Sequence, residues 1–203
     1  GGAFGIDGLG ISKLKNWWSK FGFGSLTNIN LPSEAKGFLP DPEWKEENNR
    51  GSWLLGDTYN VSIGQGDFMV TPIQLINYIS SIANGGKLYQ PTILKEEARI
   101  KTDLTQYYSA IKEVQVGMRR TVTSNLGTAH ILNDLKFDVA GKTGSAQIQN
   151  NQAENAFFVG YGPYKEGDNS APQIAILILV ERAKAGSLNA VPIAKDVLNW
   201  YYE

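Results

Sequence analysis

The hydrophobic period of this chain changes near residue 136, and that change constrains the fold more than any other feature. Up to that point apolar residues recur at helical spacing; beyond it they fall into strand-like runs. Residues 137–149, 156–162 and 173–182 read as three strands joined by turn-rich loops. The run Ile174-Ala175-Ile176-Leu177-Ile178-Leu179-Val180 is apolar on both faces, which predicts a central strand covered on both sides. Short loops between successive strands predict antiparallel pairing, and helices before and after them predict a layered α/β (α+β) arrangement. The closing helix is predicted over residues 190–202, entered near Pro192, with Ile193, Val197, Trp200 and Tyr201 as its apolar face.

Upstream, Leu14, Trp17, Trp18 and Phe21 repeat at helical spacing and Gly22 stops the run, so residues 9–21 read as an amphipathic helix. Residues 22–57 are rich in Gly, Pro, Asn and charge, and read as a long connection with little regular structure, of the kind that is usually functional or mobile. Thr71-Pro72-Ile73-Gln74 is a helix start with a mechanism: Thr caps, Pro suits the first helical position, and Gln three residues on completes a capping box. Ile76, Ile79 and Ile82-Ala83 follow on one face, and Asn84-Gly85-Gly86 ends the helix. A further helix is predicted from 105 to 123, with Tyr108, Ile111, Val114 or Gln115, Met118 and Val122 inward. Gly127-Thr128-Ala129 then opens a short helix through Asn133.

A chain of 203 residues can bury one substantial core. Its net charge is −1 with no Lys/Arg stripe, which argues against nucleic acid as a partner. Without cysteine there is no disulfide or thiolate metal site, and His130 is the single histidine, so no metal and no cofactor are expected. No segment is long and apolar enough to span a membrane. The opening Gly1-Gly2-Ala3-Phe4-Gly5, with no Met, reads as the start of a piece excised from a longer protein.

Chemistry concentrates in Phe137-Asp138-Val139-Ala140-Gly141-Lys142-Thr143-Gly144-Ser145-Ala146-Gln147. Alternation puts Lys142 and Gly144 on one strand face and Thr143 and Ser145 on the other, but strand twist lets ammonium and hydroxyls converge on one groove. Hydroxyls with a cation make a receptor for a carboxylate. Gly141 and Gly144 let a ligand or another backbone come close, and the Ser145 N–H can face a developing oxyanion. The plainer alternative is a solvated strand end with an incidental lysine.

The tetrapeptide matches the K-T-G element of penicillin-binding proteins and class A β-lactamases. Four further segments, in the family's order, resemble the transpeptidase domain of class B penicillin-binding proteins. Gly64-Gln65-Gly66-Asp67-Phe68-Met69-Val70-Thr71-Pro72-Ile73-Gln74-Leu75 resembles its G-Q-G-x-x-x-x-T-P-x-Q-L segment, and Gly127-Thr128-Ala129 its G-T-A element. Phe158-Val159-Gly160-Tyr161-Gly162-Pro163 resembles the strand after K-T-G. The stretch from Leu31-Pro32-Ser33 to Glu43-Trp44-Lys45 resembles the elongation-type, penicillin-binding protein 2-like subfamily.

The resemblance implies the penicillin-binding-protein/β-lactamase-like transpeptidase fold, an antiparallel sheet flanked by helices, incomplete in this chain at its N-terminal side. Residues 1–203 would be the C-terminal part of a single transpeptidase domain, with helices and loops in 1–136 and three strands and the final helix in 137–203. Uncovered apolar patches are expected to favour association of such a piece.

It also implies a membrane-anchored D,D-transpeptidase on the extracytoplasmic (periplasmic) face. Its partners would be peptidoglycan stem peptides, β-lactam antibiotics and a membrane glycosyltransferase of the elongation machinery. A serine would form an acyl-enzyme with the stem peptide, which a neighbouring amine resolves into a cross-link. By the same resemblance Lys142 supplies positive potential and helps the proton relay. Thr143 and Ser145 contact the substrate carboxylate, Gly144 permits close approach, and the Ser145 N–H is half of the oxyanion hole. The nucleophilic S-x-x-K is read as occurring nowhere in the chain, and it and the S-x-N element are expected to lie before Gly1; Ser124-Asn125 and Ser33-Glu34 stand in the wrong order. Asn155 and Phe157 stand where the family often has His and Trp. Two other readings remain at this point: a D,D-carboxypeptidase or β-lactamase relative, and a non-catalytic binding or sensor module that keeps the groove.

Other residues have plainer readings. His130 reads as a surface or capping histidine, one or both of Trp17 and Trp18 as core rather than a binding surface, and Asp57 and Asp67 as turn or capping residues. Gln65, between two glycines, reads as scaffold in the active-site wall. The 23–57 segment is either a solvated loop or a recognition element, which exposed Trp44 and Trp53 would favour.

Overall fold

The computed structural model describes residues 8–95, 97–148, 153–183 and 186–203. Gln149, read as the end of the first strand, and the opening glycine-rich run lie outside the described residues.

The helices come first. Helix α1 spans Gly10–Lys20 and closes at Gly22, whose φ of +87° suits glycine. Helices α2 (Pro42–Glu47) and α3 (Leu55–Ser62) follow, then α4 (Pro72–Ala83) and α5 (Tyr108–Thr123), the last entered through a 3-10 turn at Thr105–Tyr107. A small antiparallel pair, β1 (Lys87–Tyr89) and β2 (Ile100–Asp103), lies between α4 and α5. A 3-10 turn at His130–Asp134 leads into the main sheet, β3 (Ala140–Ile148), β4 (Ala153–Gly162) and β5 (Ile174–Ala183), before α6 (Gly186–Tyr202).

The sheet is antiparallel in the order β3-β4-β5, as the short loops predict. The alternating side chains of β4 organise two cores. Phe158 faces α6 with Val139, Ile176, Val191, Ala194 and Leu198. Tyr161, on the opposite face, joins Ile79, Ile82, Ile111, Met118 and Ala140 of α4, α5 and β3. The sheet is therefore sandwiched between α6 and the α4/α5 pair.

Two expectations about the C-terminal part are corrected. The doubly apolar strand β5 is covered by α6 on one face and α4 on the other, yet in the three-stranded sheet of the described residues it is an outer strand and β4 is the middle one. Apolar character on both faces reports coverage, not lateral position. Helix α6 starts at Gly186 and carries Pro192 inside it. Its packed face is Ala190, Val191, Ala194 and Leu198, whereas Ile193, Val197, Trp200 and Tyr201 are exposed, Trp200 by 76%. The helix is apolar on two stripes, and the small Ala190 and Ala194 let it approach the sheet more closely than the bulkier stripe would.

The 22–57 connection is more ordered than its composition suggests. Asp41 caps α2, accepting from the Trp44 N–H at 2.8 Å, and pairs with Lys15 of α1. Phe38 bridges to Met69 through paired backbone bonds of 2.7 and 2.9 Å. The capping box of α4 forms as predicted: Thr71 N–H donates to Gln74 Oε1 (2.9 Å) and Gln74 N–H to Thr71 Oγ1 (3.3 Å). Gln74 is 2% exposed and does more than cap. Its Nε2 donates to the carbonyls of Ser25 and Lys36, both at 2.9 Å, fastening the connection to α4. Trp44 and Trp53 are half-buried: Trp44 packs on Phe38, and Trp53 Nε1 donates to Thr58 Oγ1 at 2.8 Å. The exposure that would favour a recognition role for them is not observed.

Candidate active site

Strand β3 carries Lys142-Thr143-Gly144-Ser145, paired on one side only: Lys142 opposite Val159, Thr143 opposite Phe158, Gly144 opposite Phe157 and Ser145 opposite Ala156. Its other edge carries no strand among the described residues. Two contacts fix where the motif begins. Arg119 of α5 donates to the Val139 carbonyl at 2.9 Å and pairs with Asp138. Gly141 then passes over Phe158, so closely that a Cβ would lie 2.6 Å from two ring carbons and 2.9 Å from the Val159 carbonyl oxygen. Glycine is required there by packing. Gly144 differs, since the nearest atom to a Cβ would be Phe157 Cβ at 3.6 Å, an ordinary contact. The fold itself does not demand glycine at 144.

Lys142 lies on the α5 side of the sheet and donates to the Thr143 carbonyl at 2.6 Å. It lines a cleft of about 380 Å³ with Arg120, Thr121, Ser124 and Thr128. Two cations and three hydroxyls face this space, and no carboxylate is among its described lining residues. A carboxylate-bearing ligand suits such a surface. The Thr143 hydroxyl is 2.7 Å from that of Thr128, and Gln65 Nε2 reaches the Ser145 carbonyl at 3.4 Å. The structure thus brings four of the sequence motifs together: K-T-G-S, G-T-A, G-Q-G and the strand after K-T-G. Larger clefts lie elsewhere, such as one of about 450 Å³ between α1 and α2, where Lys15 is already paired with Asp41.

Other residues fall into structural roles. His130 Nδ1 lies 3.1 Å from the Val122 carbonyl, which only accepts; Nδ1 therefore carries the proton and caps the end of α5. Asp57 accepts from the Leu54 N–H and from Lys45, both at 2.6 Å. The Lys45 ammonium, with that N–H, holds its carboxyl below the usual range. Asp67 pairs with Arg50 at 2.7 Å. Trp17 and Trp18 are half-buried against Tyr107 and Phe68. Asn155 Oδ1 accepts from the Arg182 N–H at 3.1 Å, while Phe157 packs within the sheet beside Gly144.

The expectation about the nucleophile needs one correction. The bare S-x-x-K spacing does occur in this chain, at Ser12–Lys15, Ser33–Lys36 and Ser109–Lys112. None of these residues lines the cleft beside Lys142. Ser12 and Lys15 lie on α1, Ser33 sits in a turn at φ +60°, and Lys112 is eight residues, about 12 Å along α5, from Arg120. Sequence reasoning missed Arg120. The available signal was the basic pair Arg119-Arg120 in the helix preceding G-T-A, whose two members the structure separates into a strand anchor and a cleft residue.

A mixed helix and antiparallel-sheet fold with K-T-G-S at an open strand edge defines a penicillin-interacting class of protein. Residues 7–199 match the family profile described as penicillin binding protein transpeptidase domain. The chain belongs to this family, in its PBP2/MrdA-type class B branch. It is 32% identical over 219 residues to the peptidoglycan D,D-transpeptidase MrdA of Haemophilus influenzae, covering 95% of this chain and 33% of that protein. The penicillin-binding protein PBP2 in a complex with MreC from Helicobacter pylori aligns with a TM-score of 0.80 at 32% identity, over 95% of this chain and 36% of that one. A chain of a peptidoglycan synthase complex, solved for the structural coordination of polymerization and crosslinking, aligns with a TM-score of 0.81 at 29% identity, over 94% of this chain and 33% of that one. The chain spans about a third of the length of these relatives.

Proposed function

We propose that these residues form one wall of the active site of a peptidoglycan D,D-transpeptidase. The observation that carries this reading is the open edge of β3, where Lys142 lines a cleft that holds two cations and no carboxylate among its described lining residues, and Thr143 meets Thr128 of that cleft. The family membership and the MrdA relatives support it.

In this reading the substrate is the D-Ala-D-Ala end of a stem peptide. Thr143 and Ser145 hold its terminal carboxylate, and Lys142 adds positive potential and assists proton transfer to the leaving amine. The Ser145 N–H stabilises the tetrahedral oxyanion as a serine outside this chain attacks the penultimate carbonyl. D-Ala departs, leaving the acyl-enzyme, and the amine of a second stem peptide resolves it into a cross-link. A β-lactam enters the same site through its own carboxylate. Gly144 leaves room for the ligand backbone, consistent with its freedom from packing demands. Partnership with a membrane glycosyltransferase, at the extracytoplasmic face of the membrane, is part of the same proposal, supported by the synthase complex among the structural relatives.

Fluorescent penicillin tests this reading. The full-length protein is expected to label covalently and this 203-residue chain not to label. Lys142→Ala in the full-length protein is expected to lower acylation by at least tenfold, an effect in the usual range for a general acid–base group. Unchanged acylation would remove Lys142 from the site, and labelling of the short chain would place the nucleophile within it.

A further inference from the structure

The G-T-A turn has a feature that its backbone role leaves unused. The turn is held without the Thr128 side chain. Gly127 N–H donates to the Ser124 carbonyl (2.8 Å), Ala129 N–H to the Thr121 carbonyl (3.2 Å) and His130 N–H to the Gly127 carbonyl (3.1 Å). Ala129 and Leu132 are buried in the core beneath it. A Cβ at Gly127 would lie 2.1 Å from the Thr121 carbonyl oxygen, so the turn is pressed against the end of α5. What remains for the Thr128 hydroxyl is the contact of 2.7 Å with the Thr143 hydroxyl, at the solvent-facing edge of β3.

Proton counting gives this contact a direction. Each hydroxyl has one hydrogen, and a carboxylate only accepts. If Thr143 donates to a ligand carboxylate, its oxygen must accept from Thr128. We propose that Thr128 is a positioning residue: its hydroxyl donates to Thr143 and so aims the Thr143 hydrogen at the carboxylate of the ligand. The inference rests on the transpeptidase reading of Thr143 and goes beyond it by assigning the proton order and the residue that sets it. Thr128 then also tunes specificity, because the aimed hydrogen bonds more strongly to an ionised carboxylate than to the neutral carbonyl of an ester.

The test uses the full-length protein with benzylpenicillin and its methyl ester, in the variants Thr128→Val, Thr128→Ser and Thr143→Val. Thr128→Val is expected to weaken binding of benzylpenicillin roughly three- to tenfold, the range of one neutral hydrogen bond. The acylation rate from the bound complex and the reaction with the ester stay close to wild type. Thr128→Ser, which keeps the hydroxyl, restores benzylpenicillin binding. An equal loss on acid and ester, or no rescue by serine, would reduce Thr128 to a fold residue and overturn the proposal. So would a normal Thr128→Val in the presence of an impaired Thr143→Val. If Thr143→Val itself binds and reacts normally, the carboxylate assignment of Thr143 fails first, and the inference falls with it.

Discussion

Two glycines three residues apart do different work on β3. At Gly141 a methyl group would meet the ring of Phe158, which is fully buried between β3 and α6 and has nowhere to move. Gly141→Ala is therefore expected to destabilise the fold by about 1–3 kcal/mol, the usual cost of overpacking a closed core. Gly144→Ala meets ordinary contact distances and is expected to leave thermal stability nearly unchanged. In the full-length protein the same variant should lower penicillin acylation at least tenfold, because the methyl group intrudes where the ligand backbone would pass. Equal unfolding midpoints for the two variants would show that packing does not distinguish these positions.

At the scale of elements, the connection between α1 and α4 is held by carboxylates as well as by Gln74 and the buried Phe23, Leu39 and Val61. Glu34 accepts from the N–H groups of Thr27 (2.7 Å) and Asn28 (2.9 Å), Asp41 caps α2 and pairs with Lys15, and Asp57 holds Leu54 N–H and Lys45. Burial pulls the Glu34 and Asp41 carboxyls upward, but hydrogen bonds from Thr27 and Asn28 in one case, and from Lys15 and Trp44 in the other, together hold both below their ordinary values. Asp57 is lowered chiefly by Lys45. Depressed folded-state values mean that the stabilisation is fully present above the unfolded value of about 4 and is lost as pH falls through the folded values beneath it. Hydrogen exchange, corrected for intrinsic rate, should show residues 23–62 losing protection at a higher pH than β3, β4 and β5. Simultaneous loss in segment and sheet would contradict this.

For the molecule as a whole, the two cores on either side of β4 leave substantial apolar surface uncovered. Leu188, Trp200 and Tyr201 of α6 are exposed, and an apolar groove of about 300 Å³ runs between Trp17, Phe21, Tyr78 and Tyr107. Exposed apolar surface of this kind favours association in water. The 203-residue chain is expected to sediment as a concentration-dependent mixture. Leu188→Glu combined with Trp200→Glu should shift it toward monomer without changing its unfolding midpoint, because neither side chain supports the core. A chain that stays monomeric at all accessible concentrations would refute this account of its surface.

The elements legible in the sequence are those specified locally. The capping box at Thr71-Pro72-Ile73-Gln74 fixes the start of α4 within four residues, and the alternation in β3 and β4 follows from side chains that must leave a strand on opposite faces. The ordered segments around Lys142-Thr143-Gly144-Ser145 made the family readable, and with it the chemistry proposed for the site. Short elements were not legible: α2 and the β1–β2 pair are too brief for a period to register; Lys15 pairs with the Asp41 cap of α2, and Asn77 and Asn84 of α4 and its end hold the Tyr89 and Lys87 carbonyls of β1. Tertiary structure alone decided which apolar stripe of α6 packs, that β4 rather than β5 is the middle strand of the described sheet, and that the hydroxyls of Thr128 and Thr143 meet. The physical reason is common to all three: a sequence specifies which faces are apolar and which groups donate, but the choice between two apolar faces, or the meeting of residues fifteen positions apart, depends on which close packing leaves the least void.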